Sequence, residues 1–262
     1  MALVIFLYGL AVGSFLNVLI FRLPKNKSLF GFSKCPLCRK KIAWPDNIPV
    51  LSFIFLKGRC RHCRLKISYQ YPLVELAAGF LFLLFFLAYK ENPAFLIYAL
   101  FLTSLLIAIA LIDFRHFVIP GKLVLAGFLV SFLYLLFINY HLLLPAPDLI
   151  SSSFKDSLFG LTSFGGILWL LFLITKGKGL GFGDVILASF LGFVFGARNS
   201  IDLFYLSFFI GFIWGIIILA SKKGSLKSKI PFGLVLGAAA IIFLLTGFNF
   251  LNLIDFELIL RL

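Results

Sequence analysis

Long apolar runs broken by short polar segments set the rhythm of the chain. Runs at about Ala2–Phe21, Tyr71–Tyr89, Phe95–Ile112, Phe117–Ile138, Phe154–Thr175, Asp184–Phe195, Ile201–Ala220 and Ile230–Phe248 predict helices, and most are long enough for about 30 Å of hydrocarbon. The Asp184–Phe195 run is short for a crossing at about 1.5 Å per residue, unless it tilts, starts within the preceding glycines or sits in thinned bilayer. The first run carries Gly9, Gly13, Ser14 and Asn17 at helical spacing, small or polar residues that let helices pack closely. It has neither a basic leading segment nor a small-residue cleavage site, so it reads as a retained span. The one long polar stretch is Arg22 to Gln70. The pattern predicts an all-α membrane protein, a polytopic bundle of about eight transmembrane helices with one inserted loop domain. Residues 1–21 form the first helix, 22–70 the loop and 71–262 a core of about seven helices, with no internal repeat visible.

Composition agrees: 62% of residues are hydrophobic, 13% are charged and the mean hydropathy is +1.10. The net charge of +14 would suit nucleic acid, but the cations are clustered between apolar runs, where they encode membrane orientation. The Arg22–Gln70 loop alone holds twelve Lys and Arg against one acid, Asp46. If that loop is cytoplasmic, eight crossings place Arg115, Lys122, Lys176, Lys178, Lys222, Lys223, Lys227 and Lys229 on its side. Only Lys90, Lys155, Arg198 and Arg261 then face out, together with Glu91, Asp148, Asp156, Asp202, Asp255 and Glu257. The expectation is a multi-pass inner-membrane protein with both termini outside the cytoplasm, membrane lipid as a partner and no nucleic acid.

Three acids remain at the inner boundary, Glu75, Asp113 and Asp184. A carboxylate at the mouth of a span is costly and marks a candidate site. Asp113 closes one apolar run, and Asp184 follows Gly181-Phe182-Gly183 and opens another. Two aspartates held close share a proton, so one can take a proton from water while the other polarises a carbonyl, as aspartyl proteases require. Helix capping or pairing with a neighbouring cation is the competing explanation. Gly181 and Gly183 would let an extended substrate backbone approach Asp184, or serve helix packing. Glu75 would position substrate or pair with a cation such as Lys66.

The loop carries Cys35-Pro36-Leu37-Cys38 and Cys60-Arg61-His62-Cys63, separated by 21 residues. Paired thiols at that separation predict a four-cysteine zinc site that closes a loop too small for its own core. Disulfides and a redox pair are the alternatives, and His62 could replace a cysteine as ligand. A closed four-sulfur site offers no open coordination position, so this zinc is structural.

Taken together the blocks resemble the bacterial type IV prepilin peptidases, also called leader peptidase/N-methyltransferases. The resemblance runs through Gly13-Ser14-Phe15-Leu16-Asn17-Val18, Arg22-Leu23-Pro24, the cysteine pairs and Trp44 with Ile48-Pro49. It continues through Ile67-Ser68, Tyr71-Pro72, Glu75, Ile112-Asp113, Arg115, Ile119-Pro120, Gly181-Phe182-Gly183-Asp184 and Pro231-Phe232-Gly233. It implies a membrane aspartyl endopeptidase, with Asp113 and Asp184 catalytic, that removes prepilin or pseudopilin leaders after a glycine at the cytoplasmic face. It also implies S-adenosylmethionine-dependent methylation of the new amino terminus, in support of pilus assembly or type II secretion. Gly121 and Ile186 depart from the family pattern, which often has an acid and a Lys there.

Overall fold

The computed structural model describes residues 1–35, 38–140, 147–220 and 230–247. Pro36, Leu37, Lys222, Lys223, Lys227, Lys229, Asp255, Glu257, Arg261 and the end of the last apolar run at Phe248 lie outside the described residues. Among the described residues the regular structure is helical, with two isolated β-bridges in the loop. Six helices are long and apolar enough to cross a membrane, and a shorter apolar one follows. The chain divides into two compact units, Met1–Leu96 and Ile97–Leu262.

In the first unit, helix α1 (Ala2–Arg22) packs along helix α3 (Gln70–Tyr89). The glycines predicted for close packing act as such: a Cβ on Gly13 would lie 2.6 Å from Glu75 Cα, and one on Gly9 2.8 Å from Gly79 Cα. Asn17, buried at this crossing, donates to the Gly13 carbonyl at 3.3 Å and across to the Tyr71 carbonyl at 3.2 Å. A side-chain amide in an apolar interface must find such partners, and here it pins the register of the two helices. Between them run a 3-10 turn, Trp44–Asn47, and a short helix α2, Leu51–Phe55.

The second unit surrounds helix α4 (Pro93–His116), which begins at the end of the first. Its Ala99, Leu102, Leu106, Ala108, Ile109 and Ile112 have no exposed surface. Helices α5 (Gly121–Asn139), α6 (Phe154–Ile174), α7 (Phe182–Ala220) and α8 (Phe232–Thr246) complete the unit. The fourth predicted run was expected from Phe117, yet α4 continues to His116 and α5 starts only at Gly121. Phe117 adopts φ +52° and Pro120 has no N–H to donate, so residues 117–120 form a connection rather than a helical turn.

Two predicted runs, Asp184–Phe195 and Ile201–Ala220, join in α7 without a linker. Gly196 breaks the helix with φ 77° and ψ 177°, a region open in practice to glycine alone. Ser189, before the break, faces Gly165 of α6, and Phe204, after it, meets the adjacent Phe164 at 6.3 Å between ring centroids. Both halves therefore lie along the same part of α6, and the chain folds back at Gly196. Asp156 of α6 accepts the Ala197 N–H at 3.0 Å and so caps the returning half. The short run thus gains its packing as one arm of a helical hairpin.

Candidate carboxylate pair and thiolate centre

Asp184 is the third residue of α7, and its Oδ2 accepts the Gly181 N–H at 2.9 Å, the reach of a helix-start residue back to its cap. Asp113 lies one turn before the end of α4, and its Oδ2 accepts the Leu234 N–H of the first turn of α8 at 3.3 Å. Unpaired N–H groups and the helix dipole make such termini natural seats for a negative charge. The capping explanation for the aspartates is thus partly realised, but in both cases the cap aims the carboxyl. The two are 5% and 9% exposed, and Ile119 connects their surroundings, meeting both Gly183 beside Asp184 and Gly233 beside Asp113. Among the described residues neither takes part in an ion pair.

Gly183 and Gly233 flank the pair, and both meet Ile119. A Cβ on Gly183 would sit 3.1 Å from Ile119 Cβ, and one on Gly233 3.1 Å from Ile119 Cδ1 and 2.9 Å from Asp113 Oδ2. Sequence reasoning had no role for Ile119 or Gly233, although Ile119-Pro120 and Pro231-Phe232-Gly233 were visible as blocks. The available signal was a Pro-x-Gly at the start of an apolar run, which reads as a helix start with one open backbone position. Gly181 serves Asp184 through its N–H.

Glu75 belongs to the first unit, where its Oε2 accepts the Val50 N–H at 2.8 Å. Val50 holds φ 61°, costly for a β-branched residue, directly before α2. Glu75 therefore braces that strained turn, and its partner is this backbone group rather than Lys66.

The four cysteines form one cluster: the Sγ atoms of Cys35, Cys38, Cys60 and Cys63 all lie within 4.8 Å of one another. Cys35 and Cys63 are 3.9 Å apart, against about 3.8 Å for the edge of a tetrahedron with Zn–S near 2.3 Å. All four are free thiols, which sets aside the disulfide alternative, and His62 is not part of the cluster. The two halves are built alike. Arg39 N donates to Cys35 O and Arg64 N to Cys60 O, both at 3.0 Å, and Arg39 and Arg64 share φ near 58° (57° and 58°). Lys34 bridges Lys41 as Arg59 bridges Lys66. Ser33-Lys34-Cys35 to Ile42 thus repeats as Gly58-Arg59-Cys60 to Ile67, an internal repeat that the sequence reading did not find. Backbone N–H groups of Cys63 and His62 point at Cys60 and favour its thiolate form.

A polytopic helical bundle holding two buried carboxyls at one end, with a cysteine loop able to hold a metal, defines a membrane protein with an aspartate-pair site. Two family models match in order, the Bacterial Peptidase A24 N-terminal domain over residues 7–89 and the Type IV leader peptidase family over residues 100–216. Proteins named prepilin leader peptidase/N-methyltransferase are similar over most of their length. That of Klebsiella pneumoniae is 39% identical over 72% of this chain and 82% of its own. Those of Pseudomonas putida and Bacillus subtilis (strain 168) are 32% and 31% identical, covering 91% and 93% of this chain and 88% and 94% of theirs. No solved structure matches. The chain belongs to the type IV leader peptidase family.

Proposed function

We propose that this protein is a membrane-embedded aspartyl endopeptidase that removes the leader of type IV prepilins or pseudopilins after a glycine, supporting pilus assembly or type II secretion. The observation that carries this reading is that Asp113 and Asp184, both within the span matched by the leader peptidase model, are each aimed by a helix N-terminus, and that the two helix starts share Ile119. Peptide hydrolysis by such a pair needs no nucleophilic side chain. One carboxylate takes a proton from water as it attacks the carbonyl, and the partner carboxylic acid donates to the developing oxyanion. The proton belongs to the pair rather than to either residue. Gly181 fixes the direction of the Asp184 carboxyl through its N–H, and Gly183 lets Ile119 pack against the start of α7.

The excess of Lys and Arg in the loop and at the same predicted side supports an active end at the cytoplasmic face and both termini outside. Zinc on the four thiolates of Cys35, Cys38, Cys60 and Cys63 holds the loop together and takes no part in cleavage. Methylation of the new amino terminus from S-adenosylmethionine follows the names of the relatives.

The test is cleavage of a prepilin by the purified protein, wild type beside Asp113→Asn and Asp184→Asn, with product masses read with and without S-adenosylmethionine. Loss of cleavage in both variants, with folding and metal content kept, and one methyl gained by the wild-type product are the expected results. Cleavage surviving in either variant sinks the aspartate-pair mechanism.

A further inference from the structure

The loop of the first unit holds a concave site that the proposed chemistry leaves unused. A cleft of about 330 Å³ is lined by Lys57, Arg59 and Lys66 together with Phe53, Ile54 and Tyr69, and no acidic side chain lines it. Arg59 and Lys66 face each other across an antiparallel bridge, which puts their side chains on one surface about 5 Å apart. Like charges in that relation destabilise the pairing. Among the described residues the ion pairs are Arg61–Asp46 and Lys90–Glu91, so none of the three cations of the cleft is ion-paired among them. An anion seated between them removes the repulsion.

The lining says which kind of anion fits. Ile54 and Tyr69 are exposed to 61% and 72%, an apolar edge beside the three cations. Tyr69 is the residue before α3, so the cleft stands where that helix enters hydrocarbon, at the depth of lipid head groups and of interfacial tyrosines. We propose that this cleft binds the phosphate head group of an anionic phospholipid, such as phosphatidylglycerol, with the acyl chains beginning against Phe53 and Ile54. A basic leader peptide is repelled by the same charge. The site also gives the metal loop a fixed seat on the bilayer, independent of whether the aspartate pair cuts prepilins.

The experiment titrates the detergent-solubilised full chain with dihexanoyl phosphatidylglycerol and, separately, dihexanoyl phosphatidylcholine, with bound lipid counted by native mass spectrometry. Each basic residue at an anionic surface strengthens attachment about fivefold, so the triple variant Lys57→Gln/Arg59→Gln/Lys66→Gln loses on the order of a hundredfold. Wild type prefers the glycerol lipid over the choline lipid by roughly tenfold or more. The variant Lys25→Gln/Lys27→Gln/Lys40→Gln removes the same charge elsewhere on the loop and binds as wild type does. Equal binding of the two lipids by wild type overturns the proposal without reference to any variant. So do unchanged binding by the first variant, equal loss in the second, and displacement of the lipid by an equal concentration of inorganic phosphate.

Discussion

Replacing Gly233 by alanine tests the carboxylate geometry through a residue that has no chemistry of its own. The new Cβ falls 2.9 Å from Asp113 Oδ2, 3.1 Å from its Cγ and 3.1 Å from Ile119 Cδ1, where ordinary contact begins at 3.4 Å. Relief on one side is blocked by Ile119, so the carboxyl moves by about half an ångström or more and its bond from Leu234 N–H, already 3.3 Å long, breaks. A misplacement on the order of 1 Å at a reacting group costs about a hundredfold, so kcat falls by roughly ten- to a hundredfold, about 1.4–2.7 kcal/mol in barrier. KM, set by substrate groups away from the carboxyl, changes little. The assay is steady-state cleavage of a prepilin in detergent, with kcat and KM resolved. Gly166→Ala is the control, because a Cβ there meets nothing within 4 Å. If Gly233→Ala keeps kcat within about threefold of wild type, or Gly166→Ala loses as much, the reasoning is refuted.

Three further outcomes follow from the same geometry. Gly196→Ala places a side chain in a backbone region that costs about 1–3 kcal/mol and drives its Cβ into Asp156, so thermal unfolding in detergent comes at lower temperature and Asp156→Ala in the same background does not restore it. One zinc per chain is expected by elemental analysis; a strong chelator, or Cys60→Ser, releases it and opens residues 26–69 to protease while helical circular dichroism persists. The Arg61 guanidinium holds the Asp46 carboxyl below its usual range. The contact therefore contributes fully above the unfolded carboxylate value near 4 and is lost as pH falls through the lower folded value. Asp46→Asn should lower the protease resistance of the zinc-loaded loop, by an amount that stays constant from about pH 7 to 5 when the two proteins are compared at each pH.

What could be read in the chain followed from local chemistry. Apolar runs mark their own helices because hydrocarbon accepts little else, and Asp113, Asp184 and the cysteine pairs stood out because such groups are costly or unusual where they occur. Gly9, Gly13 and Asn17 were legible from their helical spacing as residues of a close helix crossing. What escaped were contacts between distant residues. Nothing near Gly196 announces that Asp156, forty residues earlier in the chain, will cap the returning arm of α7, so the reversal looked like an ordinary loop. Glu75 has an obvious cation in Lys66, but its partner is a strained backbone group at Val50. The repeat between the two cysteine knuckles was missed for a different reason: it is carried by hydrogen-bond offsets and a positive φ at Arg39 and Arg64, and little by side-chain identity.

The two helix starts at the carboxylate pair have the same construction. Helix α7 opens Gly181-Phe182-Gly183-Asp184 and α8 opens Pro231-Phe232-Gly233-Leu234, each with glycine at its second residue and each with that glycine against Ile119. In α7 the third residue is an aspartate that turns back to its own cap, and in α8 the third residue's N–H turns outward to an aspartate on another helix. Backbone amides, which cannot swing through rotamers as an arginine would, thus orient both carboxyls. Among the described residues no cation pairs with either carboxyl, and one that did would drive both groups toward the ionised form and remove the shared proton on which the proposed hydrolysis depends. The absence of a Lys at Ile186 is compatible with this logic, because the start of α7 already supplies the favourable field for Asp184. Ile119, wedged against both glycines, ties the spacing of the two helix starts to the connection between α4 and α5. The pair is therefore held by three backbone segments rather than by a network of charged side chains.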